Sequence, residues 1–291
     1  LMARSLLFPS LVEGTMRQPR AISLWRFPLR ILAALLVVAN VFFNYWTEAL
    51  GGFGKSVGLV SAQYPTLLTP APYTFAIWGV IYAAMAIYAI AILLPSQREV
   101  AVHDRLARWL CAWNVLAIAW ISAFRTERIG LSVALIGALC AIAGAMYAAV
   151  TRGTVAERLG AAWRVPFSLL LGWLLAATMA NVGVARAAAG GAFGTLGEQA
   201  IGIALLAIAA GAALVLSFLY ADFVLPLAVG WAAMGIAVAR HGETLPVMLG
   251  ASIAAWLMGL VVLRTIWAAR ALRRAQDQAL DRFPHHYDLT V

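Results

Sequence analysis

Charge is what this sequence has least of. Only 11 % of its residues are Asp, Glu, Lys or Arg, while 64 % are hydrophobic and the mean hydropathy is +0.88. Soluble domains carry about 25 % charged residues, so an ordinary soluble domain is excluded and a polytopic membrane protein is indicated. Cysteine is nearly missing as well. Cys111 and Cys140 both lie in apolar runs, where a free thiol behaves as a small hydrophobe, and they form neither a disulfide framework nor a CxxC pair. Lysine occurs once, at Lys55, and all other basic residues are Arg, a bias that reads as GC-rich bacterial codon usage. The net charge of +9 would suggest nucleic acid in a soluble chain. Here it reports topology, and no nucleic-acid partner is expected.

Groups that perform chemistry are also scarce. Ionisable residues in the hydrocarbon would be the usual functional pointer, and almost none occur. Asp222 falls in a short turn, where capping the next helix explains it. Arg264 lies near enough to a helix end to snorkel. Without a run of carboxylates or histidines there is no proton relay, which argues against a pump. Gly54-Lys55-Ser56 looks like the end of a phosphate-binding loop, but the Gly required six residues before the lysine is Ala49. His285 and His286 stand in a polar tail without further ligands, and His103 and His241 read as loop residues. No Ser/His/Asp or Cys/His set lies at membrane depth. The sequence therefore gives no catalytic residue, no metal site and no required cofactor, and an enzyme is not expected.

What the chain does have is long apolar runs. Eight read as membrane segments: about 28–46, 72–94, 107–124, 130–150, 165–186, 199–219, 222–239 and 245–267. The expected fold is all-α. The run 28–46 follows a basic stretch like that of a signal peptide, but it is long and lacks a small-x-small cleavage site, so it reads as an uncleaved first helix. The last run is expected to continue as a helix through Arg273, Arg274 and Asp281. Lys and Arg counted on alternating sides give sixteen against five, which by the positive-inside rule places both termini in the cytoplasm of a bacterial inner membrane. The hairpin 47–71 is then periplasmic. A small, Gly-rich connector at Ala187–Gly197 marks a shift in composition. The expected organisation is a basic tail 1–27, a membrane unit 28–190, an appended three-helix unit 191–267 and a cytoplasmic helical tail 268–291. If 28–190 is the binding unit, a chain ending after Gly191 is expected to insert and still bind ligand. No internal repeat is visible, which disfavours an inverted-repeat transporter.

One stretch organises the rest. In Tyr64–Met85 the prolines Pro65, Pro70 and Pro72 impose an extended, rigid approach. Pro72 then suits the first turn of a helix, where its missing N–H costs nothing. Phe75, Trp78 and Tyr82 fall at i, i+3 and i+7, so one face carries three rings. Such a stripe fits either plain packing or a flat, apolar ligand. Asn40 and Asn44 lie one turn apart, and Asn114, Ser122 and Asn181 occupy later helices. Amides in lipid need partners, so these face the interior as interhelical glue or as the lining of a cavity.

These residues resemble the TspO/MBR tryptophan-rich sensory proteins, a family that includes the mitochondrial translocator protein. The family's second helix follows prolines with an aromatic series ending Trp-x-x-x-Tyr; here Pro70 precedes Trp78, followed by Tyr82 and Met85. Its fifth helix carries Pro-aromatic, Trp and Ala-Thr-x-x-Asn; here Pro166-Phe167, Trp173 and Ala177-Thr178-Met179-Ala180-Asn181 correspond. Its third helix matches loosely through Asn114, Trp120, Ser122 and Phe124. The family's first tryptophan of helix 2 aligns with Pro72, and the Trp-x-Asp of helix 4 is missing from 130–150.

The resemblance covers roughly 28–190 and implies a five-helix bundle with three appended helices. It also implies a cavity opening toward the first long loop. Members of the family bind porphyrins and related tetrapyrroles, so a porphyrin or haem is the implied ligand, held for sensing or trafficking. The implied ligand-binding residues are Asn44, Tyr73, Phe75, Trp78, Tyr82, Trp113, Asn114, Trp120, Trp173 and Asn181, with Arg125 and Arg128 pairing propionates at the rim. Membrane lipid is a partner; a homodimer or a larger membrane complex is left open. The competing readings are a structural or assembly subunit of a membrane complex and a small-molecule transporter.

Overall fold

The computed structural model describes residues 26–152 and 160–282. Nine α-helices and three short 3-10 turns make up this part of the chain. They are α1 (Arg26–Glu48), α2 (Val57–Gln63), α3 (Ile77–Ala91), α4 (Val102–Arg125), α5 (Ile129–Thr151), α6 (Val165–Ala188), α7 (Leu196–Tyr220), α8 (Val224–Ala239) and α9 (Leu245–Arg282). The tails 1–25 and 283–291, with His285 and His286, lie outside the described residues.

Seven helical segments are long and apolar enough to cross a membrane, α3 only when counted with the turn Pro72–Ala76 that leads into it. The expected segment 222–239 is the exception, because α8 has 16 residues and reaches only about 24 Å. Asp222 sets its start: Oδ1 accepts the Val224 N–H at 2.8 Å and the Leu225 N–H at 3.3 Å. The capping role expected for Asp222 is thus what it does, with Ser168 donating to its other oxygen at 2.6 Å. α9 is one helix of 38 residues running through Arg273, Arg274 and Asp281, as its polar continuation suggested. The expected helix 72–94 divides. Pro72–Ala76 winds as a 3-10 turn, the α-helix starts at Ile77, and Pro95 follows its end.

α1, α4, α5, α6 and α3 pack in that order around a closed ring. α8 packs on the outside of α6 and is itself flanked by α7 and α9. Lipid gives apolar helices little reason to associate, so close approach between small residues supplies much of the packing. Gly172 of α6 lets the Leu225 carbonyl of α8 come so near that a Cβ there would stand 2.5 Å from its oxygen. Gly235 of α8 accepts the 3-10 turn: its carbonyl takes the Ala71 N–H at 3.0 Å, and any Cβ would overlap Thr74. Trp231 donates to the Thr74 carbonyl at 2.8 Å. One continuous apolar core runs through the ring and the last three helices.

Buried polar groups show which ends of the helices lie together. Arg30, 1 % exposed, donates from Nε to Asp104 at 2.8 Å and from its Nη atoms to the carbonyls of Ile92, Gln97, Arg98 and Val100. The start of α1 therefore shares an end with the α3–α4 loop. His103, read as a loop residue, is instead fully buried in the first turn of α4, between Tyr88 Oη at 3.0 Å and Gln97 Oε1 at 3.1 Å. At the opposite end Arg125 bonds Glu48, and Arg186 bonds Glu198 at 2.6 Å.

Candidate functional site: an aromatic cavity under a short lid

A cavity of about 1250 Å³ opens at the end that carries α2, walled by helices of the ring and by α8. Its floor and sides are aromatic. Phe75, Trp78 and Tyr82 come from the 3-10 turn and α3, Trp120 from α4, and Trp173 from α6. The i, i+3, i+7 spacing survives the change from 3-10 to α geometry, and the three rings share the cavity face. Trp78 and Tyr82 stack with centroids 5.4 Å apart and planes at 22°. Trp173 stands edge-on to both Trp78 and Phe75, at 6.0 and 6.2 Å and 80° to each. These distances lie in the favourable range for offset and edge-to-face pairs. The rings hold one another in place and leave a preformed apolar wall.

The polar groups in this wall are few. Asn44 is tied by Nδ2 to Asn40 Oδ1 at 2.9 Å, and Asn40 in turn donates to Asn114 Oδ1 at 3.0 Å. Asn181 accepts from Trp120 Nε1 at 2.9 Å and donates to Ser132 at 3.0 Å. Both amides lie in the cavity wall and act as interhelical glue at once. The Trp173 indole N–H is buried without an acceptor among the described residues.

Of the residues expected from the sequence, Asn44, Phe75, Trp78, Tyr82, Trp120, Trp173 and Asn181 are brought together around this cavity. Trp113 lies deeper, 2 % exposed, in a narrow cleft shared with Asn44, Trp78 and Tyr82. Asn114 is buried between α1 and its own helix, its Oδ1 accepting from Asn40 and its Nδ2 donating to the Leu110 carbonyl at 2.8 Å. Tyr73 is 45 % exposed and meets Trp231 edge-on outside the cavity, since the 3-10 turn rotates it away from the ring of Phe75.

The mouth is covered by the segment between α1 and α3. Ser56 caps α2 by accepting the Leu59 N–H at 3.1 Å, and Ser56, Val57, Gly58, Ser61 and Ala62 face the cavity. Glu127, in the α4–α5 turn, gathers three side chains of this lid: Lys55 at 2.6 Å, Gln63 at 2.6 Å and Tyr64 Oη at 2.9 Å. The Lys55 and Tyr64 hydrogen bonds hold the Glu127 carboxyl below its usual range, and the same contact raises Tyr64. Arg125 anchors the other side of the lid. It is 1 % exposed, donates from Nε to the Phe53 carbonyl at 2.8 Å, pairs with Glu48 and faces the Phe53 ring at 5.7 Å. That engagement leaves it a structural cation, so the expected role at a propionate rim does not fit it. Arg128 is exposed at the N-cap of α5. The basic residue that does line the cavity is Arg240, at the end of α8.

Residues of α8, namely Ala232, Ile236, Val238, Ala239 and Arg240, complete the wall. Sequence reasoning missed them. Their Ala- and Val-rich pattern carries no local mark of a site, and only the docking of the 3-10 turn on Gly235 brings them there.

A family model described as TSPO-like protein matches residues 30–265, which includes α8 and most of the membrane part of α9. No curated protein and no solved structure matches the chain.

Proposed function

The chain belongs to the TSPO-like protein family, and from that premise we propose that it is a multi-pass membrane protein binding a tetrapyrrole, or a similarly flat hydrophobe, for sensing or trafficking. The observation that carries this reading is the cavity of about 1250 Å³, with seven aromatic residues in its wall, Tyr45 and Phe124 among them, and a lid over its mouth. Ordinary small-molecule sites measure about 300–1,000 Å³, so this one suits a large ligand. Flat aromatic walls favour a flat partner, because stacked and edge-on contacts each add about 0.5–1.5 kcal/mol beyond area burial. Rings locked by mutual packing lower the ordering cost of binding. Nothing in this reading requires a catalytic group or a resident cofactor.

The proposed setting is a bacterial inner membrane with both termini cytoplasmic. The lid then faces the periplasm, and ligand exchange takes place from that side. Titrating the purified full-length protein with protoporphyrin IX is the test. The expected result is saturable quenching of tryptophan emission together with a shifted Soret band. Quenching that rises linearly without saturation removes the porphyrin reading.

A further inference from the structure

Arg240 is the cation in the cavity wall, and it comes from the last three helices rather than from the five-helix ring. Its side chain is 11 % exposed. Nη1 meets Glu243 at 2.5 Å, and the guanidinium carbon lies 5.3 Å from the centre of the Phe193 ring. Glu243 is itself 50 % exposed, and a pair of this kind, three residues apart and open to solvent, holds weakly. Nε is buried with no hydrogen-bond partner among the described residues. A guanidinium has five N–H donors in a fixed fork, so most of its capacity is uncommitted.

Of the other cations at this end, Arg128 is exposed and stands outside the cavity wall, and three are engaged by partners. Arg125 is paired with Glu48 and donates to the Phe53 carbonyl, Lys55 is held by Glu127 and Gln63, and Arg186 by Glu198. The one acid in the cavity wall, Glu48, is neutralised by Arg125 and also accepts the Val57 N–H at 3.3 Å. The cavity thus has an apolar, aromatic body and a single under-used cation at its mouth.

We propose that Arg240 is the acid-recognising group of this cavity, and that the ligand is an amphiphile whose carboxylate docks on the guanidinium while its flat body lies against Trp78 and Trp173. A carboxylate there gives the under-used guanidinium an acceptor, and a planar fork suits bidentate pairing. This inference rests on the reading of the cavity as a ligand site, and the test separates the two. Full-length protein in detergent is titrated with protoporphyrin IX and with its dimethyl ester, which keeps the ring and masks both acids. Wild type, Arg240→Gln and Arg240→Lys are compared by tryptophan quenching, with melting curves on the same samples.

The expected result is that wild type binds the acid about 10–100-fold more tightly than the ester, the range for a hydrogen bond to a charged group. Arg240→Gln loses that preference and keeps the ester affinity, which also certifies its fold. Arg240→Lys retains part of the preference. Equal binding of acid and ester by wild type, or an unchanged preference in Arg240→Gln, overturns the role of Arg240 and leaves the cavity reading standing. Absence of saturable binding of either compound overturns both.

Discussion

Trp78 stands where α3 meets α6: it stacks on Tyr82, receives the edge of Trp173 and forms part of the cavity wall. If a flat ligand lies on this ring, Trp78→Ala is expected to weaken binding by about 1–3 kcal/mol, the range for a base stacked on an aromatic side chain. Trp78→Phe keeps a ring with less area, so the expected loss is smaller. Melting and binding measured on the same preparations distinguish this from a purely structural role, in which stability falls and the affinity of the folded fraction is unchanged. Gly235 presents the complementary case, a residue defined by what it lacks. A methyl group there overlaps Thr74, and overpacking of this kind costs typically 1–3 kcal/mol. Gly235→Ala is therefore expected to lower the melting temperature and to loosen the Trp231 bond to the Thr74 carbonyl. Unchanged melting would show that the turn can shift without penalty. The two residues differ in how visible they are. Trp78 announces itself by its spacing from Phe75 and Tyr82, whereas Gly235 is one small residue among the apolar residues of α8 until Thr74 is placed against it.

Among the elements, the lid is tied down by charge at the mouth of the cavity. Glu127 holds Lys55, Gln63 and Tyr64 together, and its carboxyl is more acidic than the ordinary value of 4.5 because the Lys55 and Tyr64 bonds favour the anion. A group whose pKa is lowered in the closed arrangement favours that arrangement above its ordinary pKa. The contribution starts to fade as pH falls below about 4.5 and is lost once the lowered pKa is passed. Protection of the α2 amides, measured relative to their intrinsic exchange rates, is expected to be unaffected between pH 8 and 6 and to fall only under acid conditions. Glu127→Gln should show the faster exchange at neutral pH. Equal protection in the variant and in wild type would assign the closure to the apolar contacts of α2 instead. Helix positions were largely legible in the sequence because long apolar runs, prolines and the Asp222 cap are local signals. The lid was not legible, since α2 has seven residues and its partner, Glu127, is 64 positions beyond Gln63. Pairings across that distance leave no periodicity to read.

At the scale of the whole molecule the question is how far the five-helix ring stands alone. A ring of α1, α4, α5, α6 and α3 is closed by its own neighbours. Its apolar core nevertheless continues into α8, and the cavity wall includes Ala232, Ile236 and Arg240. Composition drew a boundary near Ala187–Gly197 because the aromatic and amide residues thin out there. Composition says nothing about which later helix returns to the site. A chain ending after Gly191 keeps every ring that lines the cavity but loses the α8 face, the Ala71 bond to the Gly235 carbonyl and the Trp231 bond to Thr74. The Pro70–Phe75 approach then meets lipid or water instead of a protein surface, and Thr74 loses the contact that fixes it. The truncated protein is expected to insert and remain helical, with porphyrin binding weakened at least tenfold, about 1.4 kcal/mol. Circular dichroism and quenching on one preparation check both halves of that expectation. Full affinity in a folded truncation would restrict the site to the ring and return α7, α8 and α9 to another role. Adding the missing part back as a separate chain, residues 192–291, sharpens the result. Recovery of affinity on mixing would show that the wall, rather than covalent continuity, is what the last three helices contribute.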